Sequence, residues 1–254
     1  MRLDVVLAST LLEHQPLREH VCAVIDVLRA TTTAITALAA GAIEVRSCLN
    51  IMEARKGAQS PQEQSCLLGG EEKGERIPGF HLGNSPLEYL ATDIVEGKVI
   101  YFYTTNGTGA IRRAYEECGH PVYIAALVNL SAVSSAMAKT ACGSAKGIAI
   151  VCSGRYGGPS AEDLLCAGLM VDRICHALQG CGIAPELSDG ATIAAAFAAG
   201  NRGHSLQVLA SSEHGRFLQS IGFADDLVFA SRIDLYDIVP VFDGERIAPL
   251  HDEP

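Results

Sequence analysis

The chain has 254 residues, 48% of them apolar, and a formal net charge of −10 at pH 7. That length suits one large domain or two smaller ones, and the acidic balance argues against nucleic acid and anionic membrane as partners. No stretch reaches the ~20 apolar residues that a membrane-spanning helix needs, and with no Trp and only 6% aromatic residues base-stacking surfaces are not expected.

The opening Met-Arg-Leu-Asp-Val-Val-Leu reads as a first strand (2–8) and is too short for a signal peptide, so a cytoplasmic location is expected. Further strand-like runs fall at 21–28, 43–48, 65–69, 98–104, 121–127 and 147–153, with helical patterns at 31–41, 50–58, 85–95, 107–118 and 130–142. Beyond residue 159 the pattern turns mostly helical, at 160–179, 188–200 and 204–221, and closes with strand-like 236–242 and 245–250. This alternation predicts an α/β fold, a mostly parallel sheet layered with helices. One unit over 1–254 is expected, with 125–150 the place where two subdomains would meet. Residues 69–84, rich in Gly and charge, read as a long structureless loop, a kind of segment that is usually functional or mobile. Nine cysteines, scattered, odd in number and without Cys-x-x-Cys, predict mostly buried thiols rather than a disulfide framework or a zinc ribbon.

Four clusters carry candidate chemistry. In the first, Asp26 sits within an apolar run, followed by Arg29 and the triplet Thr31, Thr32, Thr33. A charge in a buried strand costs several kcal/mol unless a metal or counter-charge compensates it, and strand ends that feed helices are where open α/β sheets bind ligands. A carboxylate for a metal, an Arg for charge, and hydroxyls with helix-start amides for oxygens suit a polyanion. The plainer alternative is an Asp–Arg pair followed by a Thr cap.

The second cluster is the Gly-rich segment from Gly69 to Pro86, which includes Glu71, Arg76, Asn84 and Ser85. Ser85 before Pro86 reads as an N-cap with Pro at N1. The third, Tyr103 to Gly109, ends a strong strand with Thr105, Asn106 and Gly107, small donors that can wrap an oxyanion. The fourth runs from Cys152 through Arg155 to Gly168. Here Ser160 and Asp163 read as a capping box, whereas Glu162 and Arg155 are left over and suit Mg²⁺, a hard cation taking one or two carboxylates plus substrate oxygens. His214 reads as a surface or cap residue, and Asp225, Asp226, Arg232 and Asp234 as ordinary helix-end charges. A P-loop, a thiol-phosphatase loop, a paired-Asp phosphotransferase motif and a His-Glu-x-x-His zinc helix are all missing from the sequence.

Taken in order, Asp-Val-Leu-Arg-Ala-Thr-Thr-Thr at 26–33, Gly79-Phe80-x-Leu82-Gly83-Asn84-Ser85-Pro86, Thr104-Thr105-Asn106-Gly107-Thr108 and Glu162-Asp163-x-x-Cys166-Ala167-Gly168 resemble the 2-phosphosulfolactate phosphatase (ComB) family. With the Gly215-Arg216 region the resemblance spans nearly the whole chain. Two departures stand out. The loop reads Gly70-Glu71-Glu72-Lys73-Gly74 where the family commonly has Gly-Glu-Arg-Gly-Gly, and His81 stands where Asp is frequent.

The resemblance implies a Mg²⁺-dependent acid phosphatase of ComB-like α/β fold, a homodimer, converting 2-phospho-3-sulfolactate to 3-sulfolactate and phosphate on a route toward coenzyme M or related sulfonates. On that reading Asp26 and Glu162 hold Mg²⁺, and Arg29 and Arg155 stabilise the transferring phosphoryl. Thr31, Thr32, Thr33, Asn84, Ser85, Thr105, Asn106 and Gly107 contact the substrate, while Arg216 and Arg76 clamp carboxylate or sulfonate. Either Asp163 or Glu71 is the base for water, or else a nucleophile. The alternatives are a phosphatase or phosphotransferase for other 2-hydroxy-acid phosphates and a non-catalytic domain that binds small anions.

Overall fold

The computed structural model describes residues 1–14, 17–59, 65–144 and 146–250. The first part of the chain alternates strand and helix: β1 (Arg2–Val6), β2 (His20–Ile25), α1 (Ala30–Ala39), β3 (Glu44–Ser47), α2 (Ile51–Gly57), β4 (Cys66–Glu72) and β5 (Glu75–Arg76). It continues with α3 (Thr92–Val95), β6 (Val99–Tyr103), α4 (Gly107–Cys118), β7 (Val122–Ala125), α5 (Leu130–Ser144) and β8 (Gly147–Cys152). Helices dominate the remainder: α6 (Ala161–Gly180), β9 (Glu186–Leu187), α7 (Asp189–Gly200), α8 (Ser205–Ser211), α9 (Glu213–Ser220) and α10 (Ala224–Ala230), then β10 (Pro240–Phe242) and β11 (Ile247–Pro249).

The strands form one sheet in the order β5-β4-β6-β3-β11-β10-β7-β2-β8-β1-β9. Pairing is parallel within β4-β6-β3 and within β7-β2-β8-β1-β9, as the strand–helix alternation predicts. The β10–β11 hairpin joins the two sets through three antiparallel pairings. Three reversals leave the sets running in opposite senses. Their apolar residues nevertheless share one core: Val24 of β2, Ile124 of β7, Val45 of β3 and Ile100 and Phe102 of β6 gather with Ile35 of α1 and Ile111 of α4. The sheet therefore curls around α1 and α4, and that curl brings the C-terminal ends of β2, β4 and β6 to a common place. On the other face α5, α6 and α7 cover β1, β2 and β8 through Val133, Met137, Leu165, Met170 and Ala194.

Several local expectations need correction. The segment 69–84 is not a structureless loop: β4 runs on to Glu72 and turns back as β5, with Glu71 opposite Arg76 and Glu72 opposite Glu75. Its glycines serve this path, since a Cβ at Gly70 (φ 128°) would lie 1.9 Å from the Tyr103 carbonyl oxygen. The expected helix 204–221 is broken at Ser212, whose side chain accepts from Gly215 N and caps α9. The expected helix 85–95 is a 3₁₀ turn, Pro86–Tyr89, followed by the short α3. Seven of the nine cysteines are free thiols, in line with the expectation for most of them, but only three of the seven are buried, and Cys22 of β2 and Cys118 of α4 are disulfide-bonded. Among the described residues no helix is long and apolar enough to cross a membrane.

Candidate active site

Strand β2 is buried along almost its whole length and delivers Asp26 to a cleft at its C-terminal end. The turn that follows is closed by its own side chains. Thr31 Oγ1 accepts from Asp26 N (3.0 Å) and lies 2.9 Å from the Asp26 carbonyl, while Thr32 Oγ1 donates to the Val27 carbonyl (2.8 Å). Thr33 Oγ1 donates to the Asn84 carbonyl (2.8 Å). The three hydroxyls thus satisfy buried backbone groups that water cannot reach, and none of the three lines the cleft. The Leu28–Arg29 peptide is cis. Arg29 is buried, donates to Asp226 Oδ2 (2.8 Å) and the Gly74 carbonyl (2.7 Å), and lies over the Phe223 ring.

The β4–β5 hairpin forms a second wall. Glu71 binds it to the β6–α4 turn: its Oε1 accepts from Thr105 N (2.7 Å), and its Oε2 accepts from Thr105 Oγ1 (3.1 Å) and from Gly74 N (2.6 Å). Thr105 and Asn106 line the cleft at the start of α4, and the Asn106 side chain makes no capping bond. Gly107 has a steric reason, since a Cβ there would lie 2.6 Å from Asp26 Oδ2 and 2.3 Å from Ala30 Cβ. The amide end of the twelve-residue α4 thereby opens beside the Asp26 carboxylate.

The third wall follows β8. A tight turn pairs Arg155 N with the Gly158 carbonyl and Gly158 N with the Arg155 carbonyl, with Gly154 and Gly157 at positive φ. It presents Arg155, nine-tenths buried, over the rings of Tyr156 and Phe217, 3.6 Å from the exposed Glu213. Ser160 makes no capping bond. Asp163 instead accepts from Val27 N (2.9 Å) and Gly154 N (3.1 Å), tying the ends of β2 and β8 together. Its neighbour Glu162 lies 3.7 Å from His214 Nδ1, and His214 lines the cleft.

The electrostatics are those of a site short of positive charge. Burial, reinforced by Asp163 and Glu71, pushes the Asp26 carboxyl well above the usual carboxylate range. Burial and then the Asp163 charge push Glu162 up to about 7, and burial pushes Asp163 up to about 6. Burial, with Arg155 and Arg29 nearby, pulls His214 down to about 3, so its imidazole is neutral. Native proteins rarely leave buried polar atoms without partners. Of the eight such side-chain atoms among the described residues, five belong to Asn84, Ser153, Arg155, Ser160 and Glu162.

The cleft encloses about 420 Å³, part of it open solvent. Of the residues singled out from the sequence, Asp26, Arg29, Glu71, Asn84, Thr105, Asn106 and Arg155 line it together. Glu162, Asp163 and Gly107 stand directly behind that wall. Ser85 does not face it; its hydroxyl donates to Asp226 Oδ1 (2.5 Å). Arg76 is exposed and reaches the His81 carbonyl, and Arg216 is exposed and bonded to the Ser211 carbonyl. Neither lines the cleft.

Sequence reasoning passed over four residues here. Lys73, Tyr156 and Phe217 line the cleft unassigned, and His214 is in its wall rather than being a surface or cap residue. Asp226, in the first turn of α10, is not an ordinary helix-end charge but a buried partner of Arg29. Left-handed backbone would have been a signal for two of them, because Lys73 (φ 54°) and Tyr156 (φ 49°) sit in Gly-flanked turns.

The family model for 2-phosphosulpholactate phosphatase matches residues 6–245. A protein of Symbiobacterium thermophilum named "Probable 2-phosphosulfolactate phosphatase" is 40% identical over 236 residues, 93% of this chain and 97% of that protein. One of the same name from Pseudothermotoga lettingae is 39% identical over 230 residues, 90% of this chain and 92% of its own. A third, from Clostridium perfringens, is 33% identical over 249 residues, 97% and 96% of the two chains. Matched by the family model over residues 6–245 and by relatives 39–40% identical over at least 90% of its length, the chain belongs to the 2-phosphosulfolactate phosphatase family.

Proposed function

We propose that the protein is a phosphoric monoester hydrolase that releases phosphate from 2-phospho-3-sulfolactate, leaving 3-sulfolactate, and that it does so with Mg²⁺ bound. The observation that carries the reading is the cleft itself, where the raised carboxyl of Asp26, the buried Arg155 and the start of α4 meet, with the raised carboxyls of Glu162 and Asp163 behind its wall. The family membership and the names of the relatives supply the substrate.

The donor set fits a hard divalent cation. Asp26 and Glu162 offer carboxylate oxygens, one of them, Glu162 Oε2, buried and without a partner. Among the described residues no three carboxyl groups converge within 4.8 Å. On this reading the protein would supply one or two ligands, Asp26 and Glu162, with water and substrate providing the rest, the usual arrangement for Mg²⁺. When bound there, the ion neutralises charge on the phosphoryl oxygens.

Phosphoryl transfer depends mainly on positioning and electrostatics. Arg155, its guanidinium over two rings and its Nη1 making no hydrogen bond beyond a 3.6 Å ion pair with the exposed Glu213, meets the equatorial phosphoryl oxygens. Asn106, Thr105 and the first amides of α4 orient the ester. Glu71 lines the cleft and accepts three hydrogen bonds, leaving about one acceptor site to take a proton from the attacking water. Asp163 faces away with both oxygens engaged by amides, so it positions β2 against β8. Arg29, which gives two of its five N–H donors to Asp226 and the Gly74 carbonyl, positions the hairpin. The reading includes a cytoplasmic homodimer serving coenzyme M or related sulfonate metabolism.

The test is phosphate release by the purified protein from 2-phosphosulfolactate, phospholactate and phosphoglycerate, with Mg²⁺ and with EDTA. The reading expects release from 2-phosphosulfolactate that EDTA stops. Ligand binding without release would instead make the chain an anion-binding domain.

A further inference from the structure

Cys22 and Cys118 lie buried at the ends of β2 and α4 that point away from the cleft. Cys22 comes four positions before Asp26, so about 13 Å of strand separates the two. Cys118 is the last residue of α4, the helix whose first residues open beside Asp26. Gly119 (φ 71°) then ends the helix in left-handed backbone, its N–H donating to the Tyr115 carbonyl. That turn brings His120 back to the pair.

The two sulfurs and a ring nitrogen of His120 lie within 4.8 Å of one another, the one such group of three among the described residues. The imidazole is already set as a ligand. Nδ1 lies 3.1 Å from the Pro121 carbonyl oxygen, which can only accept, so Nδ1 carries the proton and Nε2 the lone pair. Nε2 is buried and has no hydrogen-bond partner, which native proteins seldom leave unused. A metal-binding His commonly donates its other N–H to a backbone carbonyl, and this fixes its tautomer. His120 also lines an open, mostly apolar hollow with Val21, Pro121 and Tyr123, through which an ion reaches it from solvent.

We propose that Cys22, Cys118 and His120 form a Zn²⁺ site in the dithiol state of the protein, the disulfide being its metal-free form. Opening the bridge takes two electrons and two protons from a small dithiol. One thiolate of that dithiol attacks a bridge sulfur, its second thiol displaces the mixed disulfide, and it leaves as a cyclic disulfide. Both protein thiols lose their protons as Zn²⁺ binds. Two thiolates and a neutral imidazole then balance the charge of the ion, which suits a buried place. The Cα atoms are 7.0 Å apart, at the wide end of what a bridge spans, so the sulfurs can part around an ion. Thiolate and imidazole select Zn²⁺ over the harder Mg²⁺, and water completes the tetrahedron. The site is thus separate from the cleft and independent of the phosphatase reading.

Co²⁺, which takes zinc sites and shows thiolate ligation as a charge-transfer band in the near ultraviolet, is the probe. Dithiol treatment is expected to raise the thiol count in denaturant from seven to nine. The native reduced chain should then bind one Co²⁺ with that band and release it to Zn²⁺, whereas the bridged chain should bind none. Cys118→Ser should abolish the band. His120→Gln, which keeps both thiols, should weaken Co²⁺ binding by more than the about tenfold that loss of a mere supporting partner costs. A bridge that resists the dithiol, a reduced chain without the band, or a band that persists in Cys118→Ser overturns the site. Unchanged affinity in His120→Gln does so as well.

Discussion

Arg29 and Asp226 form a buried ion pair across 197 positions of sequence, 2.8 Å from Nη1 to Oδ2. The pair is fully furnished: Asp226 Oδ1 also accepts from Ser85, and Arg29 also donates to the Gly74 carbonyl. It locks α10, the start of the 3₁₀ turn at Pro86, the β4–β5 hairpin and the β2–α1 turn to one another. Removing one partner leaves the other charge buried and unpaired. Asp226→Ala is thus expected to cost about 3–5 kcal/mol of stability, read by urea denaturation. Arg29→Met with Asp226→Leu should cost less than the two single losses added. Full additivity in that cycle would show that the pair does not act as a unit.

Asp26→Asn keeps the size and the turn while removing the charge. Turnover is expected to fall by about 10³-fold or more, the scale of a lost electrostatic contact in the transition state. The same variant should lose the gain in melting temperature that Mg²⁺ gives the wild type, since a ligand that binds only the folded state raises its stability. Near-normal activity in the variant would remove Asp26 from the mechanism.

Arg155→Ala is expected to lower kcat by about 10²- to 10³-fold, equivalent to about 2.7–4 kcal/mol of transition-state stabilisation. Arg155→Lys should recover only part of this, because an ammonium cannot present the fork. A lowered melting temperature with unchanged kinetics would instead make Arg155 a packing residue for Tyr156 and Phe217.

The raised carboxyls set the pH dependence of the metal-free protein. The folded pKa of Glu162 is about 7 against 4.5 for the free group, and that of Asp163 about 6 against 3.8. The folded state therefore holds extra protons. The resulting stabilisation is complete below about pH 4 and is lost as pH rises through 6 and 7. In EDTA the wild type should lose on the order of 3 kcal/mol from Glu162 over that window. Glu162→Gln, which cannot ionise, should flatten the slope, and Mg²⁺ should stabilise the wild type more at pH 8 than at pH 5. Equal slopes for the two proteins in denaturation curves taken from pH 5 to 8 would refute the assignment of a proton to Glu162.

The mostly parallel, helix-layered sheet was legible along the chain because strand and helix periodicities are local, as with the apolar run of β2 and the strand–turn–helix at Tyr103–Gly107. The placement of Asp26, Glu71, Asn106 and Arg155 at one cleft was legible too, because each sits at or just past the end of a strand, where open α/β sheets bind ligands. The threonines 31–33 were misread for the same local reason, since a run of hydroxyls looks identical whether it serves a ligand or the turn's own carbonyls. What only the tertiary structure decided was partnership. That Asp226 neutralises Arg29, that Asp163 fastens β2 to β8, and that the Arg155 guanidinium lies over the Phe217 ring follow from the curl of the sheet around α1 and α4. A contact between residues 45 to 197 positions apart leaves no periodicity in the chain, because its energy comes from the burial and charge of groups that meet only after the layers close.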